Sequence, residues 1–249
     1  MHYVYSPGGN SVTVVMRGMP FGITSENPSF DQLIDALEDG DVEGVEDILF
    51  AGERLAEDLK DFGEVEVEQG HVTYRGLAVH GYLVDQILLA QRSGIDAKPY
   101  ILFLNNVMQN PDPRAQAGLF EWVERSDLPL TADGCFLAWK AVRSDYRDHH
   151  SGTLDHSVGK IVSQDRNLCD SDPDRTCSSG LHFCSKSYLP HFHSGRSRIV
   201  VVKINPADVV AFPRDYDLAK GRCCKYEVLE EVAPSDVDAY FDGVVGYVQ

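Results

Sequence analysis

The sequence contains no long hydrophobic run. No stretch approaches the roughly 18 to 20 apolar residues that a membrane helix needs. The first residues, MHYVYSPGG, have neither the basic start nor the apolar stretch of a signal peptide. We therefore expect a cytoplasmic protein. Because 43% of its 249 residues are hydrophobic, the chain has enough apolar side chains for an ordinary core.

Basic residues are scarce at the start of the chain. Residues 1 to 74 hold 16 Asp and Glu but only 3 Lys and Arg, whereas residues 75 to 249 hold 23 and 19. An acidic segment of this kind repels the phosphates of nucleic acids, so we expect no direct binding of DNA or RNA. Three interpretations of the segment remain: it binds a basic protein partner, it mimics nucleic acid, or it is only a solvated helical face. The candidate binding surface comprises Glu38, Asp39, Glu43, Glu46 and Asp47.

Hydrophobic periodicity predicts an α+β fold. Alternation at period 2 predicts an N-terminal β-hairpin within residues 1–24 and allows a third strand from Phe21 to Thr24, and helical spacing follows from 30 to 37 and from 42 to 60. A second hairpin at 65–74 and further helices up to residue 125 come next. The apolar runs CFLAWKAV and RIVVVKI predict buried strands in a C-terminal mixed α/β domain. The predicted regions are an acidic hairpin/helix/hairpin region at 1–76, a helical region at 77–127, a C-terminal α/β domain at 128–235 and a tail at 236–249.

Signatures of common catalysts are also missing. The sequence contains no P-loop, no glycine fingerprint of a dinucleotide-binding fold and no GxSxG elbow. All six cysteines lie beyond residue 130, and because nothing marks the chain for secretion, we expect reduced thiols. Cysteine and histidine are densest in CSSGLHFCSKSYLPHFHSG, residues 177 to 195.

This stretch allows a metal site. If GLHFC is a strand, His182 and Cys184 point to one face, and Cys177 and Cys224 would complete a zinc set of three cysteines and one histidine. The spacing is not that of a standard zinc knuckle. Purely structural roles, with buried thiols and a hydrogen-bonded histidine, explain the same residues. We therefore expect no cofactor and keep zinc as an alternative. Cys184 beside His182 or His191 also has the composition of a nucleophile and base, without any cysteine-protease signature.

Several long motifs, in order, resemble the rIIB-like proteins of tailed bacteriophages, the family of protectors from prophage-induced early lysis. They include PYILFLNNVMQNPDPRA, GCFLAWKAVRSDYRDHHSGTLDHSVGK and VVKINPADVVAFPRDYDLAKGRCCKYEVLEEV. The family pattern CSxGLHxCS matches Cys177, Gly180, Leu181, His182, Cys184 and Ser185, and RxCxYEV matches Arg222, Cys224, Tyr226 and Glu227.

The resemblance implies a phage accessory protein in the cytoplasm of the infected host. It implies an rIIA-like partner, a location at the periphery of the inner membrane only through that partner, and protection against prophage-encoded exclusion and early lysis. A host protein is the other candidate partner, and the sequence is compatible with an oligomer. The family supplies no established catalytic residues, so we expect an interaction protein rather than an enzyme.

A second resemblance keeps an enzyme as the alternative. The order of a strand with Lys140, the SGLHFCSKSY segment with Tyr188 and a strand with Glu227 is similar to the split sheet of ADP-ribosyltransferases. In that reading Lys140, Tyr188 and Glu227 are the weak catalytic candidates, with His182 beside them, and NAD or a related nucleotide is the ligand. Lys140 stands where those enzymes have His or Arg, and the middle strand lacks their Ser-Thr-Ser or Gly-Thr sequence. Likeness of fold does not imply retained chemistry.

Overall fold

The computed structural model of the protein describes residues 2–6, 8–25, 27, 29–50, 65–68, 71–74, 77–79, 81–92, 96–126, 129–192, 196–241 and 247–248. The chain forms two compact units, Met1–Leu88 and Leu89–Gln249. Strands and helices both contribute substantially, so the predicted α+β class is confirmed.

The first unit begins with a three-stranded antiparallel sheet. Its strands are β1 (His2–Tyr5), β2 (Ser11–Met16) and β3 (Met19–Thr24), in that order across the sheet. Arg17 and Gly18 both have positive φ and make the two-residue turn between β2 and β3, the geometry that matches the twist of a hairpin. The hairpin and the third strand that the alternation predicted are therefore both present.

Two short helices, α1 (Phe30–Glu38) and α2 (Val42–Leu49), cover one face of this sheet. Alternation along β2 puts Val12, Val14 and Met16 on that face, and the helices contribute their apolar side chains to the same core. The helical members of the core are Phe30, Leu33, Leu37 and Val45. The predicted continuation of the second helix beyond residue 50 lies outside the described residues.

A second antiparallel sheet follows in the first unit. It contains β4 (Val65–Glu68), β5 (His71–Tyr74) and β6 (Leu77–Ala78), and it is followed by α3 (Gly81–Arg92), which extends across the boundary between the units. Strands β4 and β5 occupy the residues for which alternation predicted a second hairpin.

The second unit is built on a large, mostly antiparallel sheet. Its main path is β12-β13-β10-β8-β11-β14-β9, with β7 beside β8 and β15 pairing in parallel with β7. The bounds are β7 (Leu130–Thr131), β8 (Phe136–Val142), β9 (Ile161–Ser163), β10 (Leu181–Cys184), β11 (Arg198–Ile204), β12 (Val209–Ala211), β13 (Lys220–Cys223), β14 (Lys225–Val232) and β15 (Tyr247–Val248). The helices are α4 (Lys98–Met108), α5 (Pro113–Ser126) and the single turn α6 (Leu189–Phe192).

The central strands β8 and β11 are buried because both faces of the sheet are covered. On one face, Trp122 of α5 packs against Phe136, Phe183 and Phe212, with ring centroids 5.1, 5.3 and 5.9 Å away. On the other face, Trp139 contacts Tyr240 and Phe241. Burial on two faces explains why these strands are continuous apolar runs rather than alternating ones. The two buried strands predicted from CFLAWKAV and RIVVVKI are confirmed.

Candidate functional site

The outward side of α1 and α2 is acidic. Residues 29–50 contain eight Asp and Glu and no Lys or Arg. Leu33, Leu37 and Val45 occupy the inward side at helical spacing, so the carboxylates lie on the outward one. We call this surface the acidic helix face, and its members are Asp31, Asp35, Glu38, Asp39, Asp41, Glu43, Glu46 and Asp47.

The five residues of the predicted binding surface all belong to the acidic helix face. Glu38, Asp39 and Glu43 are exposed, whereas Glu46 and Asp47 are half-buried. Glu46 forms an ion pair with Arg17, whose guanidinium also lies 4.4 Å from the centre of the Phe50 ring. Arg17 is the one Lys or Arg among the described residues of this unit, and against it stand the eight carboxylates of the face, which is therefore strongly negative.

Exposed apolar side chains lie on the sheet of the same unit. Among the described residues, nine large hydrophobic side chains are exposed, and six of them fall between residues 3 and 42. Val4 is 71% exposed, and all four residues of the edge strand β1 face solvent. Tyr3, Tyr5 and Met19 lie on the sheet face that carries Val12, Val14 and Met16, and Val4 and Val15 lie on the opposite face. We call these exposed side chains at and beside the edge strand the β1 patch, and its members are Tyr3, Val4, Tyr5, Val15 and Met19.

The β1 patch and the acidic helix face adjoin each other. Desolvation and the negative charge of Glu38 at the end of α1 raise the pKa of Tyr5 at the end of β1. The β1 patch therefore meets the acidic helix face where Tyr5 lies near Glu38. Exposed apolar patches with a polar rim are typical of protein-binding surfaces.

The second unit contains a small cavity of about 40 Å³ beside β8 and β10. Several predicted site residues line it together: Lys140, Cys177, His182, Cys184 and Tyr188, with Lys220. The Lys140 amine donates a hydrogen bond to the carbonyl oxygen of His182 at 2.7 Å. Burial lowers the pKa of Lys140, and burial together with the Lys140 charge lowers the pKa of His182 to about 4. Both residues are half-buried.

Two of the predicted site residues lie elsewhere. Glu227 is on β14, where its backbone is in register with Lys203 of β11 and Ile161 of β9, and it does not line the cavity. Cys224 lies between β13 and β14, with its sulfur 3.7 Å from a carboxylate oxygen of Asp208. Lys140 and Tyr188 therefore share one cavity wall, and the acidic residue expected of an ADP-ribosyltransferase is not on it.

The four candidate zinc ligands are not gathered around a point. Within the described ranges, no group of three or more His, Cys, Asp or Glu side chains is placed to hold a metal ion. Cys177 is exposed, whereas the Cys184 thiol donates to the Trp139 carbonyl oxygen at 3.4 Å. Burial raises the pKa of Cys184 to about 12, so this residue is a thiol at neutral pH and a poor nucleophile or ligand.

A larger cleft was not predicted from the sequence. It encloses about 350 Å³, and Tyr188 belongs both to its lining and to that of the small cavity. Its other polar lining residues are Arg125, Ser185, Ser187, His191 and Asp217. Asp217 and Leu218, which both line the cleft, have positive φ values of 51° and 60°. Neither is glycine, so the sequence signals this left-handed turn only weakly, through an aspartate, which is enriched in this conformation.

Comparison with known proteins identifies the family. The family model described as Bacteriophage T4 protein rIIB matches residues 3–246. Protein rIIB of Enterobacteria phage T4 is 46% identical to the chain over 170 residues, which are 68% of this chain and 54% of that protein. The chain thus spans about half the length of this curated relative. No solved structure matches, so the likeness to ADP-ribosyltransferases stays a prediction.

None of the helices in the described part of the chain is long and apolar enough to cross a membrane. From the match over nearly its whole length, the chain belongs to the rIIB family of bacteriophage proteins.

Proposed function

We propose that the chain acts in the infected host cell as a non-enzymatic interaction protein. Its contact surface is the acidic helix face together with the adjoining β1 patch. The observation that supports this is their coincidence on one unit: in the part of the chain that the structure describes, six of the nine exposed large hydrophobic side chains lie within the segment that carries most of the negative charge. Burial of apolar area would supply affinity, and the surrounding carboxylates would supply association rate and choice of partner.

The partner that fits this surface is a basic protein. An rIIA-like phage protein is our first candidate, as the family resemblance implies, and a host protein is the second. Binding would recruit the chain to the periphery of the inner membrane through that partner. Protection against prophage-encoded exclusion, early lysis or another host defence would then follow from the complex rather than from catalysis.

Mimicry of nucleic acid uses the same carboxylates but predicts a different complex. A mimic would bind a basic host protein mainly through charge, and DNA would compete for the site. The β1 patch favours a protein partner of the ordinary kind, because exposed tyrosine and valine side chains add nothing to an imitation of phosphates. Competition by DNA would favour the mimic over our proposal.

Capture from infected cells tests the proposal. The tagged chain carrying Glu38→Lys and Glu43→Lys is compared with wild type and with a matched variant carrying Glu230→Lys and Asp236→Lys, two exposed acids of the second unit. We expect the first variant to lose the partner and the second to retain it. Equal retention by all three proteins would contradict the use of the acidic helix face.

An ADP-ribosyltransferase-like enzyme is the alternative function. Lys140 and Tyr188 at one cavity favour it, but Glu227 lies off the cavity lining, so we do not adopt it. Incubation with labelled NAD separates the two functions. Turnover, or transfer of label to a protein acceptor, would favour the enzyme.

A further inference from the structure

One edge of the N-terminal sheet is open to a further strand. In the strand order β1-β2-β3, the edges of the described sheet are β1 and β3. Strand β3 carries Pro20, which has no backbone N–H to offer to another strand. Strand β1 contains no proline, lysine or bulge, and all four of its residues are exposed. Proteins usually protect a sheet edge with one of these devices, and β1 has none of them.

The backbone of Tyr3 and Tyr5 points away from the sheet. The Ser6 N–H donates to the Ser11 carbonyl oxygen at 2.9 Å, so these residues form a hydrogen-bonded pair of the β1–β2 ladder. Bonded and non-bonded pairs alternate along an antiparallel ladder. Val4, two residues before Ser6, therefore bonds to β2, and Tyr3 and Tyr5 present their N–H and C=O groups to the open edge. Within the described ranges, no backbone group bonds to them there.

The ladder on the other side of β2 gives the same alternation. The Ser25 N–H donates to the Asn10 carbonyl oxygen at 2.8 Å, so every second residue from Asn10 onward bonds to β3. Val12 and Val14 belong to this set. The β1 residues opposite these two valines are therefore not bonded to β2, and they are the two tyrosines.

The two faces of the sheet beside β1 differ in character. Tyr3 and Tyr5 point to the face that α1 and α2 cover, and Tyr5 lies near Glu38 of α1. Val4 points to the opposite face, together with the exposed Val15. An added strand would place alternate side chains beside the tyrosines and the acidic helix face, where lysine or arginine is favoured. The side chains between them would lie beside valine, where apolar residues are favoured.

We propose that β1 binds an extended segment of the partner protein as an additional strand of the sheet, with basic and apolar side chains alternating along that segment. The inference rests on the proposed function, because it uses the same surface, and it adds the backbone of β1 to the contact. The outward N–H and C=O groups of Tyr3 and Tyr5 would supply affinity for an extended chain. The alternation of charge would supply the choice among such chains.

A second copy of the chain is the competing occupant of the edge. Pairing of two β1 strands would bring two acidic helix faces, each with eight carboxylates, toward each other, and their like charges oppose this. Sedimentation of the purified chain measures self-association. We expect Tyr5→Pro to leave the oligomeric state unchanged. A wild-type dimer that becomes a monomer with Tyr5→Pro would assign the edge to self-pairing and overturn the proposal.

A synthetic peptide of alternating valine and lysine is the probe for strand addition. Its control is the same peptide methylated at every backbone nitrogen, which keeps the side chains and the charge but has no backbone donors. We expect only the unmethylated peptide to bind in NMR titrations, and to slow amide exchange at Tyr3 and Tyr5 about tenfold or more. Equal binding of both peptides, no binding of either at millimolar concentration, or unprotected amides at these two residues would overturn the proposal.

Two substitutions at Tyr5 separate the backbone from the side chain. Tyr5→Pro and Tyr5→Val both remove the ring, but only proline removes the outward N–H, which the β1–β2 ladder does not use. We expect the peptide to bind Tyr5→Pro about tenfold more weakly than Tyr5→Val, because a peptide carbonyl loses its donor. Equal affinities would overturn strand addition. If Tyr5→Pro lowers the melting temperature, the exchange measurement on the wild-type chain decides.

These results are distinguishable from failure of the proposed function. Loss of the captured partner with Glu38→Lys and Glu43→Lys, combined with equal affinities of the two Tyr5 variants, would retain the acidic helix face as the contact and reject strand addition. Retention of the partner by the charge variant would instead count against the proposed function, whatever the peptide does.

Discussion

At the scale of single residues, close packing in the second unit depends on Gly221. A Cβ atom at this position would lie 2.1 Å from the tip of the Phe183 ring, which covers the glycine. Phe183 also contacts Phe136 and Phe212, so its ring has little freedom to move away.

We expect Gly221→Ala to destabilise the second unit by about 1 to 3 kcal/mol, the usual effect of overpacking. Urea unfolding followed by tryptophan fluorescence measures this, because both tryptophans, Trp122 and Trp139, lie in that unit. Ser163→Ala, on the exposed side of β9, is the control and should change stability by less than about 0.5 kcal/mol. If the two substitutions had equal effects, Phe183 would not pack on Gly221 as described.

The stability of the fold should also depend on His156. Its pKa is lowered to about 4, first by burial and then by the charge of Lys140. In the unfolded chain a histidine titrates near 6.5, so between pH 6.5 and 4 the unfolded state binds more protons. Stability should therefore fall as the pH falls through this window, with His156 contributing about 2 kcal/mol between pH 7 and 5.

Urea midpoints at pH 7 and 5 check this expectation. His156→Asn keeps a donor toward the Leu154 carbonyl, which His156 Nδ1 contacts at 3.1 Å, and should reduce the loss of stability. His150→Asn, at an exposed position, should behave as wild type. The same pH dependence in both variants would contradict this contribution of His156 to stability.

At the scale of elements, strand type was predictable and strand order was not. Continuous apolar runs identified β8 and β11, and alternation identified the hairpin of β1 and β2. In contrast, β10 pairs with β13 about 40 residues later, Leu181 opposite Cys223, and no local pattern predicts a contact at that separation. The cavity depends on these pairings. The sequence therefore suggested Lys140, His182, Tyr188 and Glu227 as site residues, but it could not show that the first three line one cavity and that Glu227 lies off its lining.

The edge strand β1 is expected to act in binding and not in stability. Val4 is 71% exposed, so Val4→Asp should change the free energy of unfolding by less than about 0.5 kcal/mol. It should weaken capture of the partner, because it places a charge in the β1 patch. Val158→Asp, at a position 49% exposed in the second unit, is the matched control. The same loss of partner in both variants, or none in either, would argue against the patch as a contact.

At the scale of the whole molecule, negative charge is concentrated in one part of the chain. Residues 1 to 74 account for 13 of the 17 net negative charges. The sequence alone predicted this asymmetry and the family. The exposure of β1 could not be predicted, because it depends on the strand order, which leaves β1 at an edge of the sheet.

Binding through the acidic helix face is tested by an association rate. The purified chain is mixed with an rIIA-like partner, and the rate is measured at low and at physiological salt. We expect a rate that falls steeply with salt for wild type and for Glu230→Lys with Asp236→Lys. With Glu38→Lys and Glu43→Lys, the rate at low salt should be about tenfold lower and nearly independent of salt. Wild-type rates and salt dependence in this last variant would contradict the claim that the chain binds its partner through the acidic helix face.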